Sequence, residues 1–166
     1  MESYIFRTMD PGEAPRMVEM IRERITWMDR EGIRSWNMSD YLTIYPPAYY
    51  EDRARSRRMF ALERVADGKI VCAGALLEED GRWPDGLPGL YVHHLVSDVG
   101  ERGTGSLFLA RAEDYARERG VDRLRLDCYV DNAEINAYYE KLGYHPAGTC
   151  VDGEYHGILR EKRIKI

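Results

Sequence analysis

A chain of 166 residues and 19.3 kDa is long enough for one hydrophobic core, and residues 1–166 are expected to form a single domain. With 44% apolar and 32% charged residues the composition is that of an ordinary globular protein, and the longest apolar run, Ile70 to Leu77, is too short to span a membrane. A net charge of −5 argues against nucleic acid as the main partner.

The opening MESYIFRTMD has no basic stretch leading into an apolar run, so no secretory signal is expected. Cys72, Cys128 and Cys150 are widely spaced and show no metal-ligand spacing. They read as buried, reduced thiols of a cytoplasmic protein, and no metal is expected. No internal repeat is visible.

Ser3 to Met9 alternates as an opening strand. In the next segment Met17, Met20, Ile21, Ile25 and Met28 recur at helical spacing, which predicts an amphipathic helix. Gly32 to Arg58 is less regular and dense in aromatic residues, with one or two short helices broken at Pro46-Pro47. Its basic run Arg53, Arg55, Arg57, Arg58 reads as a solvated helix face or, alternatively, as a surface for an acidic acceptor.

From Phe60 the period changes. FALERV and KIVCAGALLEE, joined at Asp67-Gly68, read as a β-hairpin. GRWPDGLPG is a loop, and Leu90 to Ser97 is a strand running straight into a glycine-rich stretch. The helix after it gathers Phe108, Leu109, Ala112, Tyr115 and Ala116 within an arc of about 120°. DRLRLDCYV is a further strand. Ile135, Tyr138, Tyr139 and Leu142 form the stripe of a last helix, with Asp131 and Glu134 resembling a capping box. HPAGTCV and GILREKRI supply two closing strands. The expected fold is α/β (α+β mixed sheet), about seven strands with helices on both faces.

Gly100, Gly103 and Gly105 stand where a strand feeds a helix. Glycine is a poor helix former, so three of them there need a reason. One reason is an anion held on the bare amides of the first turn; the other is a tight corner that merely needs glycine. The order Gly100-x-x-Gly103-x-Gly105 is not the dinucleotide fingerprint G-x-G-x-x-G, and no P-loop Gly-Lys-Ser/Thr follows.

The stretch Gly100-Glu101-Arg102-Gly103-Thr104-Gly105 does resemble the acyl-CoA loop Q/R-x-x-G-x-G/A of the GNAT acyltransferase superfamily, with glycine at the first position. NAEINAYYEKLGY is similar to that family's N-x-x-A-x-x-x-Y-x-x-x-G-F/Y helix, with Asn132, Tyr139, Gly143 and Tyr144 on matching positions. One strand separates the two motifs, as in the family.

The resemblance implies acetyl-CoA as donor and direct transfer to an amine of a small-molecule acceptor, with no covalent role for Cys128. Its pyrophosphate would lie on the amides of Arg102, Gly103, Thr104, Gly105 and Ser106, and its pantetheine arm beside Leu95 and Val96. Asn132 would bond the pantetheine amides or cap its helix. Tyr139 would be the general acid, unless it is only a core aromatic, while Tyr138 packs. His93 or His94 would be the base, and His93 is favoured; adjacent strand residues point to opposite faces, so at most one should face the acceptor. Alternatively both histidines are structural and a carboxylate such as Asp127 or Glu78 relays the proton.

Trp36, Tyr41 and Trp83, from a wider aromatic set with Trp27, Tyr45, Tyr49, Tyr50 and Tyr155, are the expected acceptor-site residues, together with the carboxylate of Asp127. The protein would be a monomer or homodimer. Other readings are an acyl-CoA-binding module without catalysis, acetylation of a protein or peptide, and an unrelated nucleotide-binding module.

Overall fold

The computed structural model describes residues 3–166; Met1 and Glu2, the start of the segment read for a targeting signal, lie outside them. Strand β1 (Tyr4–Thr8) opens the chain. After a 3₁₀ turn at Pro11–Glu13, helix α1 (Ala14–Glu31) buries Met17, Met20 and Ile21 from its apolar stripe. The aromatic stretch folds as a 3₁₀ turn at Trp36–Met38, then α2 (Tyr41–Ile44) and α3 (Pro47–Arg55). The break falls at the proline pair because Pro47, which lacks an N–H, suits a helix start but not a helix interior.

Strands β2 (Met59–Arg64) and β3 (Ile70–Leu77) form the hairpin across Asp67-Gly68. Then follow β4 (Leu90–Ser97), α4 (Thr104–Glu118), β5 (Arg123–Tyr129), α5 (Ala133–Lys141), β6 (His145–Asp152) and β7 (Tyr155–Arg163). The cap of α5 differs from the expected Asp131–Glu134 box: Asn132 is the N-cap, and its side-chain oxygen accepts from the Ile135 N–H at 3.1 Å.

The seven strands make one sheet in the order β1-β2-β3-β4-β5-β7-β6, antiparallel except where β4 meets β5. Alternation along β2 shows the layering. Met59 and Ala61 join the core under α1 and α3, while Phe60 and Leu62 join Phe108, Leu109 and Ala112 of α4 on the other face. Among the described residues no helix is long and apolar enough to cross a membrane.

Two departures from a regular sheet position the site. Parallel pairing of β4 with β5 is confined to Leu90↔Leu124 and Tyr91↔Arg125, so the strands part beyond Tyr91 and leave a wedge in the sheet. At its closed end Arg125 is only 2% exposed; it forks onto Asp85 at 2.7 and 2.8 Å and bonds Glu161 at 2.7 Å. The Trp83 ring lies over the same guanidinium, 4.1 Å from centroid to Cζ. Buried and fully engaged, Arg125 draws the β3–β4 loop down onto the sheet. The second departure is a bulge in β4, described next with the side chains it aims.

Candidate active site

At the open end of β4 a set of ion pairs holds the loop to α4. Asp98 meets Lys69 at 2.7 Å and Arg16 at 3.3 Å, and Glu101 pairs with Arg64. The chain then turns through Gly103, whose φ of +79° favours glycine, into the N-terminus of α4. The N–H groups of Arg102, Gly103, Thr104, Gly105 and Ser106 donate to no acceptor among the described residues. They are consecutive free donors at the positive end of a 15-residue helix, an arrangement that binds anions. A Cβ on Gly103 would meet nothing within 4 Å, so the space before these amides is open. Arg102 stands exposed without an ion-pair partner among the described residues. Thr104 Oγ1 is buried and equally unpartnered. Gly105 serves a different neighbour: a Cβ there would come within 3.3 Å of the Tyr138 hydroxyl, so its bareness lets α5 close over the helix start.

In β4 the register shifts. Ala75 faces His93 while Ala73 faces Val96, so His94 and Leu95 together oppose Gly74. His94 adopts φ +57°, and Gly74 permits the crowding, since a Cβ on it would lie 3.2 Å from Phe108 Cζ and 3.4 Å from Leu95 Cα. The extra residue corrects the expectation that at most one histidine faces the acceptor side. It returns His94 to the face of His93, and both line one cleft with ring centroids 6.0 Å apart.

The two imidazoles have different surroundings. His94 is caged by tyrosines: Tyr41 hydrogen-bonds Nδ1, and the Tyr49 hydroxyl lies 3.1 Å from Nε2. The rings of Tyr45 and Tyr50 stand edge-on at 4.5 and 5.4 Å. With both nitrogens occupied, one must donate and the other accept, so the cage fits the neutral ring. Burial, then the charges of His93, Arg53 and Arg82, push its pKa down to about 3. His94 is therefore the anchor of the bulge. It is neutral when folded and protonated below about pH 6.5 when unfolded, so it makes stability fall on acidification, by about 1.4 kcal/mol per pH unit between those values. His94→Gln should flatten this acid limb in urea melts run from pH 7 to 4.5; equal slopes in both proteins would remove the buried neutral imidazole.

The cleft has a volume of about 770 Å³. Tyr45 and Tyr49 form one wall, the Glu79–Trp83 segment another, and Asp152 of β6 stands at the mouth. His93 Nε2 lies 2.9 Å from Asp80 Oδ2. Burial pushes the Asp80 carboxyl upward, but the bonds from His93 and the Arg82 N–H outweigh it and hold its pKa below the ordinary value. Arg82 spans Asp127 at 3.2 Å and Asp152 at 3.0 Å, and the Tyr155 hydroxyl donates to Asp127 at 2.6 Å. Asp80, His93 and Asp127 bring one ligand atom each within 4.8 Å of one another, a grouping able to hold a small cation or an ammonium. No spacing in the sequence connects Asp80 to His93, and Arg82 lies in a stretch that reads only as a glycine- and proline-rich loop.

Other expected site residues fall into place unevenly. Trp83 lines the cleft. Trp36 and Tyr41 do not: they stack on each other at 5.0 Å between centroids and back the His94 cage instead. Glu78 turns away to pair with Arg58 at 3.2 Å on a separate cavity, so it is no relay for His93. The side-chain oxygen of Asn132 is committed to the α5 cap, which leaves only its amide group for a ligand. Tyr139 is 9% exposed, beside Tyr138 and Tyr144 in the cluster under α4 and α5; burial pushes its phenol well above the ordinary value. Cys128 is buried, donates to Asn136 Oδ1 at 3.2 Å, and is pushed up to about 11, as an inert thiol should be. Cys150 is only half-buried, against the expectation for all three thiols.

Similarity to known proteins agrees with this architecture. The family model described as Acetyltransferase (GNAT) family matches residues 25–144. A Bacillus subtilis protein called "Uncharacterized N-acetyltransferase YesJ" is 31% identical over 110 residues, which cover 59% of this chain and 58% of that protein. A GNAT-family acetyltransferase structure from Listeria monocytogenes superposes with a TM-score of 0.78 at 19% identity, covering 97% of this chain and 95% of the other. The PaiA N-acetyltransferase of Thermoplasma acidophilum, crystallised with coenzyme A, gives 0.74 at 19% identity and covers 97% and 99%. YncA of Salmonella typhimurium, solved with its cofactor acetyl-CoA, gives 0.67 at 15% identity and covers 98% and 94%. By its match over most of its length, the chain belongs to the acetyltransferase (GNAT) family.

Proposed function

We propose that the protein transfers the acetyl group of acetyl-CoA to the amine of a small-molecule acceptor. The observation that carries this reading is the pairing of two features across one wedge: the unpartnered amides of residues 102–106, and a cleft holding His93 on Asp80. The residues present fit the coenzyme. Its diphosphate suits those amides and Arg102, and its pantetheine arm suits the gap beside Leu95 and Val96, where β4 has left β5.

The donor supplies an acetyl group activated as a thioester. Asp80 holds the His93 ring by Nε2 and so leaves the Nδ1 lone pair to take a proton from the incoming ammonium. Tyr139, kept protonated by burial, gives its proton to the departing sulfur and recovers one from the second amine hydrogen. The N–C bond forms as the C–S bond breaks. Overall, an ammonium and the thioester become an amide, a thiol and one released proton. The cleft, about 770 Å³ and open to solvent, falls in the size range of small-molecule sites.

Saturating acetyl-CoA should raise the melting temperature by about 5–10 °C at roughly a hundred times its Kd. Gly103→Val should abolish that shift, because a branched side chain would occupy the open space before the amides and resist φ +79°. A donor that binds the variant as tightly as the parent overturns the loop assignment. Release of thiol across a panel of amines then tests transfer itself.

A further inference from the structure

Resting on the acceptor-cleft reading above, we infer that the acceptor is a doubly charged amine, its reacting ammonium seated by Asp80, His93 and Asp127 and a second cationic centre met by Glu79 and Asp152 at the mouth. Four carboxylates stand in or against the cleft, from Glu79, Asp80, Asp127 and Asp152, set against two guanidiniums: Arg82 inside it and Arg53, which lies over the Tyr49 ring at 4.8 Å. The Arg82 guanidinium is spent, since Asp127 takes one arm and Asp152 the other. Glu79 is exposed and has no ion-pair partner among the described residues. With four carboxylates against two guanidiniums, the cleft keeps an excess of negative charge.

The charges are also layered. Side chains of Asp80 and Asp127 are 10% and 7% exposed, whereas that of Asp152 is 69% exposed. The inner pair therefore lies at the base beside His93, and Asp152 and Glu79 lie toward solvent. The aromatic rings of Tyr45 and Tyr49 line the same cleft; Arg53 covers a face of Tyr49, and Tyr45 offers a surface that accepts an alkyl chain and favours cations over neutral groups. A neutral or anionic tail would forgo the outer carboxylates, and an anionic one would be repelled. A carbon chain with a cation at each end uses both levels at once.

The test is calorimetric binding to the complex with coenzyme A, which lacks an acetyl group and cannot turn over. Probes are putrescine, butylamine and aminobutanol, which share chain length and differ in the second charge. Putrescine should bind at least ~10-fold more tightly than either, and the gap should shrink between about 0.1 M and 1 M salt as the Debye length falls from about 10 to 3 Å. Glu79→Gln with Asp152→Asn should close most of the gap, while circular dichroism and coenzyme A binding report an intact fold. Equal affinities for the probes, or a gap that survives both substitutions, overturn the inference even where the transferase reading stands. Failure of coenzyme A to bind, with no thiol release from acetyl-CoA on any amine, instead removes the reading beneath it. Competition between putrescine and Mn²⁺ or Zn²⁺ that EDTA reverses, with metal-dependent transfer, would make the inner trio a metal site and overturn the inference as well.

Discussion

Tyr139→Phe should lower kcat by about two to three orders of magnitude while acetyl-CoA binds almost as before. The substitution is close to isosteric. The Tyr139 hydroxyl makes no hydrogen bond among the described residues, so its removal strands no partner, and the ring keeps its contacts with Tyr138 and Tyr144. What disappears is one neutral donor in a buried setting. Such a donor matters little to a bound thioester and far more to the sulfur as it gains charge, so the loss belongs to turnover and not to donor affinity. Because burial pushes the phenol upward, it stays protonated through the ordinary assay range, and the parent enzyme should show no alkaline loss from this group below about pH 10. Stopped-flow thiol release alongside donor titration separates the two effects. Unchanged turnover removes the acid role, and a proportional loss of donor affinity makes Tyr139 a binding residue.

The features legible in the amino-acid sequence are those that chain-local chemistry controls. Asp67-Gly68 between two apolar strands demands a hairpin, Pro46-Pro47 breaks a helix, and the three glycines after β4 mark a backbone kept bare. That bareness has two uses that spacing alone does not separate: Gly103 leaves open space, whereas the missing side chain of Gly105 makes room for Tyr138. The bulge at His94 escapes a reading by alternation, which assumes an unbroken pleat. Yet a lone glycine in a strand often marks a bulge, and Gly74 sits opposite this one. Asp80 and Arg82 are out of reach for another reason. Their roles arise from tertiary pairing, set by a loop that Arg125 clamps through Asp85 and Trp83. The aromatic residues gather on one side of the sheet as a group, but Trp36 and Tyr41 support the cage around His94 while Tyr45, Tyr49 and Trp83 reach the cleft. Composition identifies such a set; only packing decides which rings face a ligand.

Replacing His93 by Gln should reduce kcat/KM by about 10²-fold at pH 7, and the deficit should narrow as pH rises. The direction follows from the acceptor. A primary amine is almost wholly protonated at pH 7, so the parent relies on the His93 Nδ1 lone pair, which Asp80 exposes by holding Nε2 at 2.9 Å. Without that base the variant uses only free amine already present in solution, a fraction that grows about tenfold per pH unit below the amine pKa. The variant's rate should therefore climb toward that of the parent between pH 7 and 9. Asp80→Asn should fall between the two, because an amide still accepts a hydrogen bond from Nε2 but no longer stabilises the imidazolium. His94 makes the comparison sharp. It occupies the same face one residue away, yet its pKa near 3 and its tyrosine partners leave it no proton to exchange at these pH values. A rate ratio between parent and His93→Gln that stays constant from pH 7 to 9 would assign His93 to positioning the acceptor, and the proton would have to leave through water at the carboxylates of the cleft.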